Sequence, residues 1–180
     1  GSHRFTLDQA GLVGDAINVN AQGWYTDGDG EFSGEWRVQR MQALVADLNG
    51  QAGGRWRALS QAVANREERA WIITTDGTGS GIRGNPAVVA QLLGATPQLN
   101  ARLRYENHAF TVENAQLDGA RLRAGALGRI VNSQADLSLE ISATGPIALG
   151  DAEISGAVDA TGRLKSMRRF AHASLTQLGR

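Results

Sequence analysis

The segment DAEISGAVDATGRL, residues 151–164, constrains the fold of this chain more than any other stretch of the sequence. Every second residue from Ala152 to Leu164 is apolar or glycine, and the residues between them are polar except Ala157. Successive side chains of a strand point to opposite faces, so the segment is predicted to be a half-buried strand. It would span about 46 Å, whereas ordinary strands contain about 5–6 residues.

The same alternation recurs through the second half of the sequence. It is found in residues 101–105, 109–112, 120–124 and 135–143. The phase changes after Val112, and a β-bulge near Glu113 and Asn114 would explain that change. Glycine, asparagine and proline separate these segments, and residues 144–146 (TGP) are predicted to be a turn. This arrangement is typical of an antiparallel meander.

The first half of the sequence is less regular. Residues 34–50 fit a strand through Trp36 and Val38 or a helix through Met41 and Leu44, and the flanking glycines favour the strand. Residues 55–68 are predicted to form a short helix with Trp56 on its apolar side, and residues 70–77 a strand.

Residues 85–94 (NPAVVAQLLG) carry the clearest helix pattern in the sequence. Asn85 is suited to the N-cap, Pro86 to the first turn and Gly94 to the C′ position. The apolar stripe would contain Val88, Val89, Leu92 and Leu93.

Composition excludes several classes of function. Lysine plus arginine and aspartate plus glutamate both number 18, which argues against a nucleic-acid-binding protein. The absence of cysteine excludes disulfides, thiolate zinc sites and cysteine nucleophiles. No apolar run approaches 18 residues, so no transmembrane helix is expected. Glycine accounts for 23 of 180 residues, against a usual share of about 7%, which favours a β-rich fold.

The sequence predicts one domain. Residues 1–3 (GSH) resemble a tag remnant, and residues 4–180 are predicted to form a single β-rich domain with short helices within 55–94. The sequence has no initiating methionine and no signal peptide, so we expect a fragment of a longer protein.

Residues 79–84 (GSGIRG) match the glycine pattern of a dinucleotide-binding turn between a predicted strand and a helix. Glu106 lies about 20 residues further on, where that fingerprint places an acidic residue. However, a new helix begins at Asn85, and no further βαβ pattern follows residue 100. We therefore expect a glycine-rich loop, with an enzyme that binds a nucleotide here as the less favoured alternative.

Residues 27–31 (DGDGE) resemble the start of a calcium loop through Asp27, Asp29 and Glu31. The sixth position is Phe32 and the twelfth is Val38, where such a loop requires glycine and glutamate. A hairpin turn is therefore the favoured interpretation.

The sequence offers no catalytic constellation. The three histidines, His3, His108 and His172, form no cluster, and no nucleophile elbow is visible. We expect no enzymatic activity, no metal and no cofactor.

Four arginines lie on the polar side of neighbouring predicted strands. They are Arg102, Arg104, Arg121 and Arg123. Two interpretations remain open: a solvated surface, or a basic stripe that meets an anionic headgroup or an acidic partner.

The apolar faces of the predicted strands must be buried against something. A sandwich, a closed barrel or an open trough filled from outside would each bury them. Alanine and glycine are frequent on these faces, which leaves room for an acyl chain. The residues predicted to line such a lipid groove are Leu103, Phe110, Leu122, Leu137, Leu139, Ile141, Ile154 and Val158.

Residues 85–128 and 135–164 resemble the TamB family, the inner-membrane subunit of the translocation and assembly module. The phrase AEISGAVDATGRL, residues 152–164, is similar to the glycine-bounded strand repeats of that family. The similarity extends over about residues 30–175, and AsmA-like relatives share it.

The resemblance implies a mostly β fold, an antiparallel, long-stranded sheet curled into a U-shaped groove. It implies a periplasmic segment of a protein anchored in the bacterial inner membrane, whose groove carries phospholipid between the two membranes. The implied partners are phospholipid acyl chains and the outer-membrane barrel subunit TamA. The alternative function is a scaffold for outer-membrane protein assembly, which pairs its sheet edges with client strands.

Overall fold

The computed structural model describes residues 4–44, 46–63, 69–84, 87–132, 134–149 and 151–165. The strands are β1 (Arg4–Val13), β2 (Ile17–Thr26), β3 (Asp29–Val38), β4 (Leu48–Ala62), β5 (Arg69–Gly84), β6 (Gln98–Glu106), β7 (Ala109–Asp118), β8 (Leu122–Val131), β9 (Gln134–Thr144), β10 (Ile147–Leu149), β11 (Ala152–Ile154) and β12 (Ala157–Lys165). One α-helix, α1 (Ala87–Leu93), and a 3-10 turn at Met41–Ala43 complete the described part.

Ten strands form one antiparallel sheet in the order β1 to β9 followed by β12. Each strand up to β9 pairs with its neighbour in sequence, so the meander predicted for the second half of the sequence continues through the first half. Strands β10 and β11 pair in a separate hairpin. The sheet is not closed, because β1 and β12 each have one neighbour in the described part of the chain. The prediction of a mostly β, antiparallel fold with little helix is confirmed.

Residues opposite each other on neighbouring antiparallel strands lie on the same face of the sheet. One row across the sheet contains Leu103, Val112, Gly128, Leu137 and Leu164. We call the face with this row the apolar face, since the rows on either side of it are also largely apolar. The opposite side, the polar face, carries mainly charged and hydroxyl side chains.

The bulge predicted in β7 is confirmed. Arg102 lies opposite Asn114 while the next residue, Leu103, lies opposite Val112, so Glu113 is the additional residue. The extra residue compensates for the change of phase in the sequence pattern. The apolar side chains before the bulge and those after it therefore lie on the same face of the sheet.

Helix α1 covers one end of the apolar face. Leu93 of α1 packs with Leu48 and Ile82 in a buried cluster, which Val89 and Leu122 extend. Beyond the helix, Gly94 has a φ of +72° and its N–H donates to Ala90 O at 2.8 Å, as predicted for a C′ glycine. The predicted cap residues Asn85 and Pro86 lie outside the described residues.

The carbonyl end of α1 is tied to the β7–β8 turn. Leu92 O accepts from Arg121 N at 2.9 Å, and Leu93 O accepts from Ala120 N at 3.0 Å. The side-chain oxygen of Gln91 accepts from Ala148 N of β10 at 3.1 Å. The helix and the β10–β11 hairpin are therefore joined at this end of the sheet.

In the first half of the chain, one prediction is wrong and another is right only in part. The predicted helix over 55–68 is strand β4 as far as Ala62, because Trp56 and Ala58 alternate with arginines and the segment pairs with β3 and β5 on its two sides. Residues 64–68 lie outside the described part. The strand predicted over 34–50 ends at Val38, and the 3-10 turn at Met41–Ala43 follows it.

Two predictions about glycine-rich segments are also wrong. Residues 79–84 belong to β5 and not to a loop. The long strand predicted over 151–164 is interrupted, because Gly156 adopts a φ of +106° between β11 and β12. Only β12 joins the large sheet.

Candidate functional site

Seven of the eight residues predicted to line a groove lie on the apolar face. They are Leu103, Phe110, Leu122, Leu137, Leu139, Ile141 and Val158. The eighth, Ile154, lies opposite Ile147 in the β10–β11 hairpin and is not on the large sheet. The interruption at Gly156 separates it from Val158, which the strand pattern had placed on the same face.

In the second half of the apolar face, a row of alanines runs across the strands, and their short side chains make the surface lower there than on either side. Ala101 lies opposite Ala115, which lies opposite Ala126. Larger side chains flank this alanine row on both sides, with Leu103 in one neighbouring row and Leu117 in the other. The face is therefore lower along a line that crosses the strands of β6, β7 and β8.

Aromatic side chains cover the apolar face on β3, β4 and β5, an arrangement that the sequence pattern did not predict. The Trp36 ring lies over Gly77, where an added Cβ would be 2.2 Å from Cζ2 of the indole. Its Nε1 donates to Thr75 Oγ1 at 2.8 Å. Trp56 Nε1 similarly donates to Asn20 O at 3.0 Å, two strands away on β2. Glycines on neighbouring strands were the signal that could have located these rings.

A second group of aromatic rings lies at the end of the apolar face away from α1. Trp71 stacks on Tyr25 with ring centroids 6.3 Å apart and contacts Phe32 at 5.7 Å. Tyr105 and Phe110 follow on β6 and β7, with centroids 4.7 Å apart. One end of the face is therefore covered by a helix and the other carries partly exposed aromatic rings.

Much of the apolar face is accessible. Val158 is 52% exposed and Ile141 is 45% exposed. Among the described elements, α1 and the 3-10 turn are the helices that pack on strands of the sheet, and no second sheet layer covers the face.

The polar face is a network of short ion pairs. Glu113 accepts from Arg102 at 2.7 Å, and Asp118 accepts from Arg123 at 2.8 Å, which lowers the pKa of the Asp118 carboxyl. Asp136 accepts two hydrogen bonds of 2.6 Å from Arg163, and these bonds are the main cause of the lowered pKa of the Asp136 carboxyl. These pairs are solvent-exposed, so each contributes little to stability.

The acidic residues of 27–31 are engaged in the β2–β3 hairpin, as the hairpin interpretation predicts. Asp27 and Gly28 form its turn with positive φ angles of 44° and 91°. Asp29 pairs with Arg69, and Glu31 pairs with Arg57 at 2.8 Å. The part of the chain that the structure describes contains no group of three or more histidine and acidic residues able to hold a metal ion.

The glycine-rich segment 79–84 offers no phosphate-binding turn. Gly79 lies opposite Ala52 and Ser80 opposite Gln51, so this backbone is part of the β4–β5 ladder. None of the described helices is long and apolar enough to cross a membrane.

Comparison with known proteins gives no relative to this chain. No protein-family model matches it, and neither the curated proteins nor the solved structures contain a significant match.

Proposed function

We propose that the apolar face holds the acyl chains of phospholipids. In this proposal the chain is a segment of a periplasmic protein of the TamB type, anchored in the inner membrane, and the lipid passes along the face between inner and outer membranes. The outer-membrane subunit TamA would be the partner of the whole protein. The observation that carries the proposal is an apolar face that continues across ten strands and that, beyond the end under α1, no second layer covers in the described part.

The energy available from such a face is sufficient to bind a lipid. Each methylene removed from water contributes about 0.8 kcal/mol, so about ten buried methylenes contribute about 8 kcal/mol. Before the costs of association are subtracted, this corresponds to micromolar affinity. The alanine row (Ala101, Ala115 and Ala126) provides a low path for a chain that runs across the strands.

The proposed U-shaped section is supported by glycines at which neighbouring strands approach closely. A Cβ added at Gly34 would lie 1.9 Å from Asn20 O, and one at Gly54 would lie 1.8 Å from Asp76 O. Glycines and bulges at such positions allow sheets to bend sharply. We propose that the sheet bends at these points to form a groove on its apolar side.

The test compares two half-exposed residues on neighbouring strands. Ile141 on β9 lies on the apolar face and is 45% exposed, while Leu127 on β8 lies on the polar face and is 50% exposed. We expect Ile141→Asp to reduce phospholipid capture at least tenfold, since a carboxylate cannot be desolvated beside an acyl chain. Leu127→Asp should capture lipid as the original chain does.

The measurement is native mass spectrometry of the purified chain, before and after incubation with phospholipid vesicles. Circular dichroism establishes that both variants keep the β fold. If Ile141→Asp is folded and captures as much lipid as Leu127→Asp, the apolar face is not the lipid site. If Ile141→Asp unfolds while Leu127→Asp does not, the face is a sealed core.

The open sheet edges favour a second candidate function, a scaffold for outer-membrane proteins. Both β1 and β12 present strand backbones of about ten residues with a free side among the described residues. Client strands could pair with these edges. In that case added peptide strands, and not lipids, would protect the edge amides from hydrogen exchange.

A further inference from the structure

Arg121 differs from the three other arginines of the predicted basic stripe. Arg102, Arg104 and Arg123 each bond a carboxylate, at 2.7 to 2.8 Å. No such bond is present for Arg121 among the described residues. Its Nη1 atom is buried and has no hydrogen-bond partner within the described part of the chain. A buried guanidinium nitrogen without a partner is costly and rare, so its position requires an explanation.

The backbone holds Arg121 rigidly at the junction of the sheet and α1. Its N–H donates to Leu92 O at 2.9 Å, and its carbonyl accepts from Thr144 N at 2.9 Å. The next residue, Leu122, packs on the cluster beneath α1, at the covered end of the apolar face. Arg121 is therefore fixed where the apolar face meets the polar rim.

A solvent-open cavity of about 620 Å³ adjoins this position. Its size is that of an ordinary ligand pocket. The charged residues that line it are Arg121, Arg123 and Asp118, and hydroxyl groups are contributed by Thr96, Ser142 and Thr144. Since Asp118 is paired with Arg123 at 2.8 Å, the charge of Arg121 is the one left unbalanced within the lining.

We propose that this cavity binds a phosphate ester and that Arg121, whose Nη1 is closed to solvent in the present conformation, turns its guanidinium into the cavity to receive the anion. A guanidinium fork suits the geometry of phosphate oxygens, and hydroxyl groups complete the hydrogen bonding. This inference rests on the proposed function in one respect: the phosphate would belong to a lipid whose acyl chains lie on the adjoining apolar face. Free phosphate has the same chemistry, and the experiment separates the two sources.

The experiment titrates the full chain with three ligands by isothermal calorimetry. Dihexanoyl phosphatidic acid carries the phosphate and two short acyl chains, dihexanoylglycerol carries the chains alone, and inorganic phosphate carries the anion alone. The variant is Arg121→Gln. The matched control is Arg129→Gln, which removes an arginine near the opposite end of β8. Arg121→Lys serves if the glutamine variant does not fold, because it keeps the charge and loses the fork.

We expect Arg121→Gln to weaken phosphatidic acid binding about tenfold or more and to leave dihexanoylglycerol binding unchanged. Arg129→Gln should change neither, and Arg121→Lys should weaken phosphatidic acid binding less than glutamine does. If inorganic phosphate also binds and requires Arg121, the anion site is supported and does not need the lipid chains.

Two results would overturn the inference. One is phosphatidic acid binding that survives Arg121→Gln; the other is an equal loss of both lipids, which would make Arg121 a structural residue. Failure of the proposed function looks different: neither lipid binds the original chain, while phosphate still binds in an Arg121-dependent manner. If none of the three ligands binds the original chain, both the anion site and the lipid function are refuted.

Discussion

Gly77 on β5 offers a quantitative test of how the aromatic rings lie on the apolar face. A Cβ added there would lie 2.2 Å from Cζ2 of Trp36 and 3.1 Å from Gly53 O. Because non-bonded carbon atoms pack at about 3.5–4.0 Å, Gly77→Ala must displace the indole by about 1 Å or more. The displacement also breaks the bond from Trp36 Nε1 to Thr75 Oγ1, which is 2.8 Å long.

The expected cost follows from three contributions. Overpacking of a fitted site costs about 1–3 kcal/mol, and loss of the indole hydrogen bond costs about 0.5–1.5 kcal/mol. Alanine restricts the unfolded chain and returns about 0.4–1 kcal/mol. The free energy of unfolding should therefore fall by about 0.5–4 kcal/mol, and the upper part of this range is a large share of the stability of a typical domain.

The control is Gly162→Ala on β12. Gly162 lies on the same face, opposite Leu139, and an added Cβ would have no atom within 4 Å. This substitution should raise the free energy of unfolding by about 0.4–1 kcal/mol. Both values are measured by urea unfolding followed by tryptophan fluorescence.

A double-mutant cycle with Trp36→Ala isolates the contact. Most of the penalty of Gly77→Ala should disappear in the Trp36→Ala background, because the atoms that the new methyl group meets are absent. An unchanged penalty in that background, or a Gly77→Ala variant as stable as Gly162→Ala, would refute the placement of the indole over Gly77.

Two further predictions concern a turn and an ion pair. Asn107 and His108 form the β6–β7 turn with φ angles of 51° and 57°, a geometry that favours glycine at the second position. His108→Gly should therefore raise the free energy of unfolding by about 1 kcal/mol. A lower free energy of unfolding, measured by urea denaturation, would contradict this. The hydrogen bonds from Arg163 lower the pKa of Asp136, so the stabilisation from this pair is present above the unfolded pKa of about 3.9 and is lost as pH falls through the lowered value. Arg163→Gln should raise the pKa of Asp136 in a carboxyl NMR titration, and an unchanged pKa would show that the pair does not persist in solution.

The alternation of apolar residues allowed the strands from β6 to β9 to be predicted from the sequence. It also located the β7 bulge, since one extra residue at Glu113 shifts the phase of the pattern. The prediction was possible because each of these strands is half buried, and a half-buried strand alternates apolar and polar residues in its sequence. The shared face of seven predicted groove residues follows from the same period combined with consecutive antiparallel pairing.

The errors arose where a local pattern fitted two structures. Trp56, Leu59 and Val63 have helical spacing, yet Trp56 and Ala58 also alternate with arginines, and pairing on both sides of β4 decides for the strand. Glycines were similarly ambiguous. In β5, Gly77 makes room for an indole from β3, whereas Gly156 turns the chain and takes Ile154 off the sheet. Residues distant in sequence determine which role a glycine has, so local spacing could not distinguish them.

The alanine row helps to distinguish a lipid face from the core of an incomplete sandwich. Facing sheets interdigitate bulky side chains from both layers, and the first half of the apolar face already fills its own surface with Trp36, Trp56 and Trp71 lying across glycines and other small residues. The second half instead leaves a line of methyl groups that crosses the strands. A flexible acyl chain can lie along such a line, whereas a second sheet would need a matching ridge across its own strands. The two halves therefore differ in their surfaces: the aromatic half is filled by its own rings, whereas the alanine half leaves the line along which we propose that an acyl chain lies.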